Sequence, residues 1–257
     1  MQTRPTRPTI AQIREISQPP SVTGRSNAEH WIADLYLRRI SPYLTRILLM
    51  TPISANGVTW LMILTGVLIG PALLIQSWIG IFLALLLSHL QMLIDCCDGE
   101  VARWRNTKSP MGIFLDKLGH YGAESLIPIF FGLHLADWPN KSITSTIYPY
   151  LGALLAVLII INKALNDAVH VARAFSGLEK LADAKGVNLP RKGLLRVARK
   201  VFNYLPAHRI FHSVEFTMYI VIFGSYSGSL AVALGVAAFV TVGHILAIIS
   251  SGKLRNI

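Results

Sequence analysis

Four side chains, Asp95, Asp98, Asp116 and His120, stand at helical spacing in segments otherwise nearly free of charge. A carboxylate in apolar surroundings must bind a cation, find a partner or be costly. On helices, Asp95, Asp98 and Ala102 fall at i, i+3 and i+7, and Gly112, Asp116 and His120 at i, i+4 and i+8, so each set shares one face. Two such faces turned toward each other make a site for hard divalent cations, which prefer oxygen ligands and bridge a diphosphate. Gly99, Ala102 and Gly112 lack bulk where a nucleotide would approach helix backbone. Arg103 offers a planar fork for phosphate, and Arg105 and Lys108 add charge. Small residues also serve plain helix packing in membranes, so the acids, not the glycines, carry the argument for chemistry.

The elements that must position these residues are membrane helices. The chain has 257 residues, 53% hydrophobic and only 14% charged, with a mean hydropathy of +0.50, too apolar for a soluble domain of this size. Residues 47–94 hold no Asp, Glu, Lys or Arg, which is room for two spans of about 20 residues each. Residues 216–252 are likewise uncharged, and the run from Gly224 to Ser229 divides them with turn chemistry. Residues 112–136 and 145–167 supply two more, so the expected fold class is an all-α integral membrane protein of six transmembrane helices preceded by an amphipathic interfacial helix.

The net charge of +11 would suggest nucleic acid in a soluble protein, but its distribution excludes that reading. Of 24 Lys and Arg, 21 fall in segments that six spans place on one face, and only Lys141 sits in a connection on the other. The positive-inside rule makes the basic face cytoplasmic, with both termini there, in the inner or plasma membrane.

Three regions are expected. Residues 1–27, polar and lacking the apolar run of a signal peptide, read as a disordered basic cytoplasmic tail. Residues 28–50 form the amphipathic juxtamembrane helix, with Trp31, Ile32, Leu35, Ile40, Leu44 and Ile47 set against Arg38, Arg39 and Arg46, and with Pro42 interrupting it. Residues 51–257 form the membrane domain, its first span capped by Ser54 or Asn56. Within it, 173–209 is a long basic loop with a short surface helix over 192–204. Cys96 and Cys97, adjacent and at the cytoplasmic face, read as packing residues.

The run 95–120 resembles the signature of the CDP-alcohol phosphotransferases, Asp-x2-Asp-Gly-x2-Ala-Arg-x8-Gly-x3-Asp-x3-Asp. Seven of its eight fixed positions match with every spacing intact. The resemblance implies a membrane transferase that moves a substituted phosphate from a CDP-linked donor to an alcohol and releases CMP, in a homodimer among membrane lipids. It also implies that Asp95, Asp98 and Asp116 hold two divalent ions, Mg2+ or Mn2+. Asp98, Gly99, Ala102, Arg103, Ser109 and Gly112 would surround the CDP moiety. Phospholipid biosynthesis from CDP-diacylglycerol is the leading setting, with a CDP-polyol donor left open.

The eighth position is His120, where the signature has its base and metal neighbour. Neutral imidazole, with a reference pKa of about 6.5, is a competent base near pH 7. As a ligand it tolerates Mn2+ or Zn2+ better than Mg2+. Glu124 lies one turn further along. It either hydrogen-bonds His120 and fixes its tautomer, partly replaces the missing carboxylate, or pairs elsewhere in the bundle. Lys163, Arg173 and Arg209 are candidates for a phosphorylated polyol acceptor, against the plainer reading of snorkelling or ion pairing. A catalytically impaired relative that binds nucleotide or lipid is the alternative, and a transporter a third, which explains the motif spacing poorly.

Overall fold

The computed structural model describes residues 4–23, 31–179 and 207–250, with Leu254, and among these every regular element is helical. The elements are α1 (Ile10–Ser17), α2 (Pro20–Thr23), a π-helical turn (Ala33–Leu37) running into α3 (Arg38–Leu49), α4 (Ala55–Ala72), α5 (Trp78–Arg105), α6 (Pro110–Leu135) and α7 (Tyr148–Phe175). A 3-10 turn (Ala207–Phe211) then leads to α8 (Ser213–Phe223) and α9 (Ser229–Ser250).

Helices α4 to α9 occupy the six expected spans. Four of them, α4, α5, α7 and α9, are long and apolar enough to cross a membrane. Helix α6 has the length, 26 residues, but carries Asp116, Lys117 and Glu124. Helix α8 has 11 residues, roughly 16 Å of rise against a hydrocarbon core of about 30 Å. The 3-10 turn packed against α8 extends it on the side of the basic loop.

Short, well-capped connections set the geometry of the site end. Ser54 caps α4 by accepting from the Gly57 amide at 3.1 Å. Helix α5 stops at Asn106, which adopts the left-handed conformation at φ 56°. There the Thr107 amide reaches back to the Ala102 carbonyl at 2.9 Å, a Schellman-type closure. Ser109 caps α6 through the Gly112 amide at 3.1 Å, and Pro110 at the first helical position suits that start. A four-residue turn joins the end of α5 to the start of α6, and α4 packs against both helices.

Three buried clusters fill the described bundle, the smallest joining Ala33 and Leu37 to Met92, Cys96 and Val214. Of the remaining two, one, with Ile69, Leu73, Ile127, Phe131, Leu155 and Phe216, joins α4, α6, α7 and α8 away from the site. The other, with Ile13, Leu49, Val58, Met62, Cys97 and Trp104, lies at the site end. Both cysteines are buried and unbridged. Helices α6 and α7 cross almost backbone to backbone, where a Cβ on Gly152 would stand 2.4 Å from the Pro128 carbonyl oxygen. Small residues permit that approach where dispersion must replace the hydrophobic effect. Trp60, Leu64, Phe82, Leu86 and Phe239 remain exposed, as lipid-facing side chains should.

Two expectations change. The segment expected to be a disordered tail carries α1, begun by a capping box between Thr9 and Gln12 and anchored by the fully buried Ile13. Short local signals plus one apolar anchor outweigh the polar composition. Pro42 does not interrupt α3, which runs through it. Proline lacks the amide that would bond the carbonyl four residues back, and here that orphaned acceptor, Arg38 O, receives Gln18 Nε2 at 2.7 Å. Leu35, Ile40 and Ile47 of this helix are exposed, on the apolar side that the sequence assigned to lipid. The surface helix expected over 192–204 lies outside the described residues.

Candidate active site

The signature residues of α5 and α6 meet. His120 Nε2 is 3.0 Å from Asp95 Oδ1 across the two helices and 3.5 Å from Asp116 Oδ1 one turn back. Ligand atoms of Asp95, Asp116 and His120 all lie within 4.8 Å of one another. Ligands bound at 2.0–2.6 Å stand roughly 3–5 Å apart around one ion, so the spacing and the carboxylate-rich donor set fit a divalent cation. Asp98, expected as a further ligand, stands beside this group, with Oδ2 accepting from Thr59 Oγ1 at 2.8 Å.

The opposite edge of the imidazole faces Glu124. His120 Nδ1 is 3.4 Å from Glu124 Oε1. The same oxygen is 3.2 Å from His212 Nδ1, and Lys163 Nζ lies 2.7 Å from Oε2. Glu124 is 1% exposed, so α6, α7 and the start of α8 are tied together through one buried carboxylate. Of the readings open for Glu124, the geometry realises two at once: it abuts His120 and it is paired within the bundle.

The small residues have specific neighbours. A Cβ on Gly99 would stand 2.9 Å from Arg103 Nη1, so Gly99 makes room for that guanidinium. A Cβ on Gly112 would meet Asn56 Oδ1 at 3.2 Å, which puts the start of α4 against the start of α6. Ser109 spends its hydroxyl on the α6 cap.

The three acceptor candidates sit on two elements, α7 and the 3-10 turn before α8. Lys163 is engaged by Glu124. Arg173 lies ten residues on, about 15 Å along α7, and donates from Nε to the Glu179 carbonyl at 3.0 Å. Arg209 is buried near Asp34 of the juxtamembrane helix. Burial pushes the Asp34 carboxyl up from its ordinary range, against the pull of Arg209 and Arg38. Spacing along a single helix could not reveal that Lys163 pairs with Glu124.

Four contributors carry no motif. Asn56 and Thr59 sit at i and i+3 on α4, His212 precedes α8, and Glu100 lies behind Asp95 and Asp98 on α5. A pair of small polar residues opening an apolar span was the one available signal for the first two.

A helical membrane bundle that gathers two carboxylates and an imidazole where α5 and α6 meet has the donor set for a divalent cation. The chain belongs to the CDP-alcohol phosphatidyltransferase family, whose profile matches residues 52–242. No curated protein matches it. The family transfers a substituted phosphate from a CDP-alcohol to an alcohol acceptor and is in general dependent on divalent metal.

Proposed function

We propose that the protein transfers the phosphatidyl group of CDP-diacylglycerol to a hydroxyl acceptor, releasing CMP, with His120 as general base. The observation that supports this most is the placement of the imidazole: Nε2 faces Asp95 and Asp116 while Nδ1 faces Glu124. A histidine whose second nitrogen is held by a carboxylate has a fixed tautomer and ring orientation. With Nδ1–H directed at Glu124, and with Asp95 and Asp116 turned to a bound divalent ion, the Nε2 lone pair would accept the proton of the attacking hydroxyl. The acceptor oxygen bonds to the phosphatidyl phosphorus as the bond from that phosphorus to the bridging oxygen breaks, and CMP leaves.

Asp95, Asp98 and Asp116, with His120 beside them as base, would hold one or two divalent ions, Mn2+ or Mg2+. When bound, these neutralise the diphosphate and the charge developing on CMP. Asp98, Gly99, Ala102, Arg103 and Gly112 form the CDP side, with Asn56 and Thr59 bracing it. Ser109 holds the start of α6. The basic distribution supports a site and both termini facing the cytoplasm, in a homodimer of the cytoplasmic membrane that serves phospholipid synthesis.

The test is CMP release by the purified protein in nanodiscs with CDP-diacylglycerol, a panel of alcohols and either ion. His120→Ala is expected to lose about 100- to 10,000-fold in turnover, the usual contribution of a positioned base, and His120→Asp to retain far more. Unchanged turnover in His120→Ala removes the histidine from the chemistry. Absence of CMP release in every condition would favour an impaired relative that binds without turnover, as the histidine at this position also allows.

A further inference from the structure

The amino-terminal segment is built into the back of the donor side of the site. Ile13, fully buried, packs in the cluster with Leu49, Val58, Met62, Val101 and Trp104. Beyond it, Ser17 and Gln18 meet α5 at Glu100, a carboxylate with no exposed surface. Glu100 Oε1 accepts from Ser41 Oγ at 2.6 Å and from Gln18 Nε2 at 2.7 Å, and Oε2 from Thr45 Oγ1 at 2.6 Å. Ser17 Oγ donates to the Glu100 carbonyl at 3.0 Å. Three elements, α1, α3 and α5, are therefore latched on one carboxylate by neutral donors.

The latch ends on Arg103. Arg103 Nε donates to the Ser17 carbonyl at 2.5 Å, while its Nη1 lies over Gly99. Asp95, Gly99 and Arg103 follow at i, i+4 and i+8, on one face of α5. Further back, Arg4 donates to the Arg103 carbonyl at 2.7 Å and to that of Trp104, and its guanidinium sits 5.8 Å from the Trp104 ring centroid. A cation there also suits the negative end of the α5 dipole.

An arginine side chain carries substantial rotamer entropy. A guanidinium already held through Nε meets a phosphate with most of that cost met beforehand. We propose that residues 4–18 form part of the donor site: by docking α1, Ser17 and Gln18 hold Arg103 over Gly99 in the pose that receives a phosphate of the CDP-linked donor. This rests on the reading of Arg103 as a donor contact. Linkage makes the effect reciprocal, so a bound nucleotide tightens the docking of α1 by the factor by which docking tightens the nucleotide.

The experiment uses the full-length protein in nanodiscs. Ile13→Asp, which undocks α1, and Gln18→Ala, which opens the latch, are expected to raise donor KM, with kcat and acceptor KM unchanged. The rise in Ile13→Asp is about tenfold, the scale of one charge-assisted hydrogen bond. Arg103→Ala should give at least that rise, and Ile13→Asp on top of it no more, since docking acts on the donor only through Arg103. CDP with Mn2+ should slow amide exchange over residues 10–17 in the wild type and not in Arg103→Ala, a readout that needs neither turnover nor a folded Ile13→Asp. Multiplying effects in the double variant, or exchange over 10–17 indifferent to CDP, overturns the proposal. If Arg103→Ala raises donor KM while Gln18→Ala and Ile13→Asp do not, the inference about residues 4–18 alone falls. An Arg103→Ala variant with unchanged donor KM removes Arg103 from the donor site and this proposal with it.

Discussion

Carboxylates on either side of His120, Glu124 on one and Asp95 with Asp116 on the other, are balanced in opposite ways. Glu124 is sealed from solvent and has cationic or imidazole partners from two neighbouring elements, Lys163 of α7 at 2.7 Å and His212 before α8 at 3.2 Å. Asp95 and Asp116 converge instead on one imidazole and stay reachable, with the Asp116 side chain 41% exposed. A buried charge that its fold neutralises is a structural element. Acids that share too little positive charge, one of them partly exposed, have the donor set for a cation that comes from outside. His120 touches both groups and is the hinge between structure and chemistry.

The largest effect should come from the open group. Asp116→Asn is expected to lower CMP release on the order of 1,000-fold, the scale of several kcal/mol of charge stabilisation. Its thermal midpoint in chelator should change little. Mn2+ at a hundred times its dissociation constant should stabilise the wild type by about 2.7 kcal/mol and Asp116→Asn far less. A wild type whose unfolding ignores divalent ions would erase the distinction between the two groups.

The closed group should fail in stability first. Lys163→Met or Glu124→Ala leaves a partner buried without its charge and should cost about 3–5 kcal/mol, read from unfolding in detergent. Glu124→Leu with Lys163→Met should recover most of the loss. If Lys163→Met is as stable as the wild type but fails to turn over, Lys163 serves substrate after all. The smallest effect is expected at the brace: Thr59→Val removes one hydrogen bond to Asp98, worth about 1 kcal/mol, and should alter activity only a few-fold.

The legibility of the site followed the range of its contacts. The face shared by Asp95 and Asp98 and the face shared by Asp116 and His120 were readable because helical period alone sets them, and the short turn at Asn106 to Ser109 fixes their meeting. The partners of Glu124 were not readable: Lys163 is 39 positions away and His212 88, and no local pattern says which neighbour a buried acid chooses. Arg209 read as an acceptor cation on its own stripe, yet it lies beside Asp34, far earlier in the chain. Helix α1 was hidden because a polar, proline-bearing segment gains its order from a single anchored isoleucine.

By itself the sequence determined that this is a helical membrane protein with a CDP-alcohol phosphotransferase signature at the junction of α5 and α6. Hydropathy and helical period are local, and every residue needed to read them lies within about 26 positions. Tertiary structure alone decided which charges are balanced and which are open, and that the segment before the membrane domain reaches Arg103. Those outcomes depend on contacts between elements far apart in the chain, where burial makes each pairing consequential and the sequence carries no period to announce it.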